Sequence, residues 1–549
     1  MKKSYFIFFT VLFCKFCNAQ DSPLMYKAIS DTLPYAEVGL PAIGNAGYKF
    51  TDPVFGTPII RVTDSMSRPD AISRPWHASS SSEQNVFNAN STMFYVNGPG
   101  GESIFYNLNK TNFTTSRVGN TSNGTGGTML LIGEGEFSRT YPNIIYGVGG
   151  PYGRTLLQYD FSSNSYTELL NLDTIVASLP ISSIGSALSV SKNEILSVAF
   201  GATQDFHHYI LVFNKNTNAY TILNTLNGDI KRSDGTTGYC DGVTWNWPIH
   251  NARINLTGEY VVITATDGTS PYKLVFWDTK NNVAYGHKDT VAPYIGGHKV
   301  GGYNYFINGA GVTDGQNVVM RSFTDLTNYS NVINPTYPLP TQFCNDTHFS
   351  WNNARPDSLA PVIVSSYRYD IDSLKTWRAT TNEIYAIRTD GIKKQFWRFA
   401  HHHSSIYDGY DNFDYQPHVH VSGDGRYAIF NSNWKKTLGT YNITYKRQDV
   451  FLVKLDTTST LNSIKEDFTK MNFNVAPNPA NNNITINFML KNSENIKIEL
   501  YDVLGQKIKT VKEKYFPLGE YHEIVDISSI SPGIYFIILN EQSKKIVIN

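Results

Sequence analysis

Thirteen histidines are spread over the 549 residues, and their sequence context matters more than their number. His77 follows Trp76, His250 stands in WPIHNAR, His298 in GGHKVGGY and His348 in THFSWNNA, while His418 and His420 lie in QPHVHVSGDGRY. His401, His402 and His403 form a run. Most of these sites come just before an alternating apolar stretch, which reads as the start of a β-strand. A neutral imidazole takes up protons near physiological pH, so several converging imidazoles suit general acid–base chemistry. Arg253, close behind His250, suits pairing with a carboxylate, and Tyr303 suits donation of a proton. His418 and His420 are two apart, so on a strand both rings face one way. With Gln416 and His402 they form a donor set for a divalent cation, because imidazole suits Mn and Zn. Asp408, Asp411 and Asp414 bring calcium to mind, but their spacing is not that of an EF-hand and reads as a solvated acidic turn. Any one of these histidines, taken alone, more commonly satisfies a backbone group. Trp247, Trp351 and Trp434 lie beside the histidine sites and suit either stacking on a sugar face or filling a core.

Residues hundreds of positions apart need a repeat to bring them together. Seven times an apolar strand runs into a polar turn and out again, starting at Ile104, Leu156, Ile210, Lys273, Asn317, Glu383 and Asp449. Most of these hairpins follow a partner strand with its own turn, as in SALSVSKNEILSVAFG and NARINLTGEYVVITATD. Units of four strands and about 50 residues are the signature of a β-propeller. The expected architecture is all-β, with seven blades over residues 40–457. Connections into inner strands gather at one mouth of a propeller's channel. His250, His298, His348, His402 and His418, with Arg253 and Tyr303, are therefore expected around that mouth.

Composition narrows the function. Lys+Arg and Asp+Glu are both 46, which leaves no basic excess for nucleic acid or an anionic membrane. Charged residues are 17% and aromatics 13%, which fits an extracellular β-protein and argues against disorder. Lys2 and Lys3, the apolar run from Phe6 to Phe13 and Ala19 read as an export signal over residues 1–19. No stretch is long and apolar enough to span a membrane. Cys14 and Cys17 would leave with the signal. Cys240 and Cys344 remain, as a disulfide or as small buried side chains.

Residues 458–472 read as a polar linker. Beyond them, VAPNPANNNITINF, IKIELYDVLGQKIKTV and SPGIYFIILNEQSKKIVIN alternate like the strands of a small β-sandwich over residues 473–549. Pro477-Asn478-Pro479, Tyr501-Asp502 with Gly505-Gln506, Pro532-Gly533-Ile534-Tyr535 and Lys545 resemble the C-terminal sorting domain of the type IX secretion system. That resemblance implies export across an outer membrane, with the secretion machinery as partner and a secreted or surface-attached product.

Seven blades and QPHVH ahead of a Gly-Tyr strand resemble the propeller polysaccharide lyases, the oligogalacturonate and ulvan lyases. The resemblance implies β-elimination on a uronate-containing polysaccharide by a monomeric enzyme. His250 or His348 would be the base, with His298 nearby, and Tyr303 the acid. Arg253 or a metal on His402, His418, His420 and Gln416 would neutralise the uronate carboxylate, with Mn, Zn or Ca as the cation. Trp247, Trp351, Trp434 and His77 would bind the sugar chain. Two other classes remain open at this stage. A glycan-binding propeller would use the same aromatics without chemistry, and a glycoside hydrolase would need paired carboxylates at the mouth.

Overall fold

The computed structural model describes residues 23–67, 76–79, 82–98, 103–118, 132–149, 154–175, 183–184, 188–203, 206–266, 268–288, 296–312, 315–325, 329–333, 346–367, 379–406, 413–440, 446–456, 473–490, 494–503, 506–516, 519–539 and 542–549. At some strand ends, His298 among them, it describes the backbone alone. The export signal, the linker and Cys344 lie outside the described residues. The chain divides into two compact units, Met1–Thr458 and Ser459–Asn549.

Among the described residues the first unit is nearly all strand, in successive antiparallel meanders. The fourth runs through Ile249–Ile254, Tyr260–Ala265, Leu274–Asp278 and Val283–His287. The sixth runs through Asp346–Ser350, Val362–Tyr367, Glu383–Ile387 and Phe396–His401. The last begins with His420–Val421 and Tyr427–Ser432, and its third strand, Asp449–Lys454, is completed by Pro58–Arg61 from the other end of the chain. Arg61 and Arg447 both bind the buried Asp449 carboxylate at that seam.

A short sequence rule makes the outer hairpins. In NKTNFT, DFSSNS, NKNTNA and DTKNNV the first Asn or Asp accepts backbone N–H groups two residues on, and in three of the four also three residues on. The fifth residue, Phe113, Asn164, Asn218 or Asn282, has φ between 49 and 57°. Asx side chains favour such turns, and Asn tolerates the left-handed region better than most residues. The third strands are the most apolar. LVFWD at Leu274–Asp278 is buried throughout, as is EIYAI at Glu383–Ile387.

The turns after the first strands are hydrogen-bonded to one another in chain order. Asn88 Nδ2 donates to Pro142 O (2.9 Å), Thr140 Oγ1 to Lys192 O (2.8 Å), and Lys192 N to Leu256 O (2.9 Å). Leu256 N donates to Gly302 O (2.9 Å), Tyr303 OH to Asn353 O (3.2 Å), and Ala354 N to Gly423 O (2.9 Å). Asp424 N to Ser91 Oγ (3.3 Å) returns to the first meander. The meanders thus close on themselves as a β-propeller, their first strands around the axis. Those strands begin at a leading mouth and end at a trailing mouth ringed by these turns.

The propeller unit starts earlier than residue 40. Leu24 and Tyr26 are buried with Trp397 and Phe399, Ile29 pairs with Arg398, and Glu37 meets His403 and Lys435. This strap lacks strand alternation, so its burial could not be read from pattern. The second unit has two antiparallel sheets sharing one apolar core that includes Ile484, Ile486, Ile498, Leu500, Ile537 and Ile546.

Candidate functional site

A buried polar lattice crosses the propeller axis. Glu136 accepts the Val190 N–H (2.7 Å) and the Asn85 N–H (3.2 Å), and pairs with the Arg253 guanidinium. Arg253 also donates to Gln84 Oε1 (2.9 Å) and faces Glu83 at 3.4 Å. Gln84 donates through Nε2 to Gly135 O (3.0 Å), while its own carbonyl accepts from Asn352 Nδ2 (2.8 Å). Arg253 is therefore already neutralised by protein carboxylates. The expectation that it receives a substrate carboxylate is corrected, because its donors are committed to Glu136, Gln84 and Glu83.

At the leading mouth four side chains from two adjacent meanders meet. His348 Nε2 lies 2.7 Å from Gln416 Oε1, and the Tyr367 hydroxyl donates to the same oxygen at 2.9 Å. An amide oxygen only accepts, so His348 carries its proton on Nε2 and presents Nδ1 as the acceptor. The Tyr367 ring stacks on His348 at 5.4 Å, and His418 meets His348 edge-on at 4.4 Å between ring centres. Asn431 fixes the QPH segment, accepting the His418 N–H (3.1 Å) and donating to Gln416 O (2.9 Å). Both imidazoles are buried, and half-exposed Phe413 lies against each of them.

The other expected residues go elsewhere. His402 accepts the Ser404 N–H on Nδ1 (2.9 Å), and its Nε2 lies 3.0 Å from Ser366 O. Burial pushes its pKa down to about 3, so it is a neutral core ring with both nitrogens occupied. His420 places its two nitrogens 3.1 and 3.0 Å from the carbonyls of Gln84 and Ser79. Of the four expected metal ligands, only Gln416 and His418 thus share one cluster, and His348 joins them in place of His402. Among the described residues no three His, Cys, Asp or Glu side chains gather as a metal group.

His250 is exposed on the fourth meander's first strand, and His77 bridges to Asn97. The side chain of His298 lies outside the described residues. Tyr303 stands in a turn at the trailing mouth, one strand length from the leading mouth, and its proximity to the leading histidines is corrected. The position after a first strand, not before it, decides this. Trp247, Trp351 and Trp434 are buried in three separate cores, with Nε1 donating to Thr244 O, Ala360 O and Pro41 O. They fill blades and present no face to a sugar. Cys240 is buried, and burial pushes its thiol up to about 12.

Sequence reasoning passed over His207, His208 and Tyr367. His207 pairs in register with Ile249, beside His250, and burial followed by the charges of His208 and His250 lowers its pKa. The meander alternation places strand starts and ends on known faces. By that alternation the propeller's histidines with described side chains all fall at its leading side. The signal was the strand phase of each histidine, whichever strand it stood on.

Residues 474–549 match the secretion system C-terminal sorting domain. The protein is therefore exported by type IX secretion to the cell surface or outside. No curated protein matches the chain. Among solved structures it is similar to the β-propeller domain of the Trilobed protease from Pyrococcus furiosus, at 11% identity over 55% of this chain and 93% of that one, with a TM-score of 0.30. Kluyveromyces lactis Hsv2 follows at 12% identity, 57% and 95% coverage and a TM-score of 0.26. The Cps50 (Swd1) β-propeller domain of Myceliophteria thermophila gives 8%, 70% and 96%, and 0.33. Those likenesses are loose, and the propeller assignment rests on strand order and ring closure. No described helix is long and apolar enough to cross a membrane.

Proposed function

We propose that this protein is a secreted polysaccharide lyase, a seven-bladed propeller followed by a β-sandwich sorting domain, acting on uronate-containing chains at the leading mouth. The observation that carries this reading is the convergence of His348, Tyr367, Gln416 and His418 from neighbouring meanders, with His348 and Gln416 68 residues apart and Tyr367 and Gln416 49 apart. Elimination removes the proton beside a uronate carboxylate. The electron pair then forms the ring double bond, the bond to the leaving oxygen breaks, and that oxygen takes up a proton. An imidazole of the pair is the base, and the Tyr367 hydroxyl is the acid. His348 is that base, so a first-row divalent cation would be held by His418 and Gln416. Such an ion would supply the positive charge that the uronate carboxylate needs and that Arg253 cannot spare.

The test is the ultraviolet absorbance of unsaturated uronate ends released from a panel of uronate polysaccharides. Activity should fall by roughly 10²–10⁴-fold in His348→Ala. A folded protein that binds the panel but creates no unsaturated ends would overturn elimination and leave a glycan-binding propeller.

A further inference from the structure

The trailing mouth holds a second, open pocket with about 30 Å³ of cavity among the turns that follow the first strands. Its polar lining includes Arg139, Lys192, Tyr303, Asn352 and Asn353, and Phe87 supplies an apolar wall. Two cations line it and no carboxylate does. The nearby acids are occupied elsewhere. Glu194 accepts from Ser138 and Tyr146, and Asp357 accepts the backbone N–H groups of Tyr303, Asn304 and Tyr305. Glu136 is bonded to Arg253 in the axial lattice and faces Arg139 Nη2 at 3.9 Å, which leaves the Arg139 Nη1 edge to the pocket.

Arg139 is held in place by two bonds, Nε to Val190 O (2.7 Å) and Nη2 to Asn352 Oδ1 (3.0 Å). Its Nη1 meets no acceptor among the described residues. Lys192 is exposed, lies 5.7 Å from the Tyr303 ring centre and has no ion-pair partner among the described residues. Asn353 is 7% exposed and donates through Nδ2 to Arg355 O at 2.7 Å. That bond fixes the amide's orientation, and Oδ1 is left buried with no hydrogen-bond partner. A buried acceptor of this kind costs free energy until a donor reaches it.

We infer that the trailing pocket binds a sugar carboxylate with a neighbouring hydroxyl, the chemistry of a uronate residue. The carboxylate lies between Arg139 Nη1 and Lys192 Nζ, as charge-assisted bonds favour. The hydroxyl donates to Asn353 Oδ1, and Tyr303 and Phe87 wall the ring. This site is separate from the leading cluster and does not depend on elimination.

Calorimetric titration of the full chain with galacturonate, glucuronate, galactose, acetate and sulfate tests it. The uronates should bind, and galactose should not. Acetate and sulfate should bind roughly tenfold more weakly, because neither offers the Asn353 acceptor a hydroxyl. Lys192→Glu should remove the trailing-mouth class of uronate sites from the isotherm, leaving only that of the leading mouth, without moving the melting temperature, since its side chain is exposed. His348→Ala should keep uronate binding while losing any elimination activity. An unchanged uronate isotherm in Lys192→Glu, sulfate binding as tight as uronate, or loss of binding in His348→Ala would each overturn the assignment.

Discussion

The two mouths of the propeller are made of different materials. The leading mouth is built from side chains that interrupt the sheets, mostly imidazoles, with an amide and a phenol closing on one another. The trailing mouth is built from backbone, a ring of turns hydrogen-bonded in chain order, into which a guanidinium and an ammonium project. Imidazoles thus sit on one side, and fixed charge sits on the other. Between them Glu136, Arg253 and Gln84 bind the first strands together. One fold can in this way separate chemistry that moves protons from recognition that needs constant charge.

Removing the lattice should have the largest effect on stability. Glu136→Ala removes the fully buried one of the two carboxylates that face the Arg253 guanidinium, and breaking such a buried pair costs about 3–5 kcal/mol. Denaturant unfolding should show it, and a cost near zero would mean that the mouths are not joined through the axis. Next comes His348→Ala, which removes a buried ring from Tyr367 and a partner from Gln416. Its unfolding free energy should drop by about 1–3 kcal/mol, alongside the loss of activity.

Acid should act on the leading side. Burial holds His402 neutral, with a folded pKa of about 3 against an ordinary 6.5. The unfolded chain therefore binds a proton that the folded chain refuses, and stability is lost as pH falls below that ordinary value. Burial alone would raise the Glu37 carboxyl, but the His403 and Lys435 contacts outweigh it and hold its pKa below the ordinary range. Its contribution is present above that range and is likewise lost on acidification. Each group adds a slope of up to about 1.4 kcal/mol per pH unit. Hydrogen exchange on acidification should loosen residues 23–40 and the sixth meander before the turns of the trailing mouth. Uniform loosening would erase the contrast. The smallest effect belongs to Lys192→Ala, which should leave stability within about 0.5 kcal/mol of the parent.

Much of the frame was legible in the sequence. The hairpins announced themselves because strand alternation and Asx turns are local, and the starts at Leu156, Ile210, Asn317 and Glu383 each lie in the third strand of a meander. The start at Asp449 is not a hairpin, since its strand is completed by Pro58–Arg61. The strand phase of the histidines was legible for the same reason. What each histidine does was not. His402 is decided by Ser366 O, His420 by Ser79 O and Gln84 O, and Arg253 by Glu136, partners 36 to 341 residues away. Trp247, Trp351 and Trp434 look alike beside a strand whether they face a core or a sugar. Tyr303 was misplaced by one strand length, since the sequence on either side of a first strand is equally rich in aromatic and polar residues.

The seam between Pro58–Arg61 and Asp449–Lys454 has a bearing on manufacture. The last strand needed to shut the ring is translated shortly before the sorting domain that addresses the protein for export. A polypeptide that stops early anywhere in the ring lacks both the closing strand and the address. Proofreading for length is thereby written into the order of the chain, and only molecules that carry every blade can present a ticket to leave the cell.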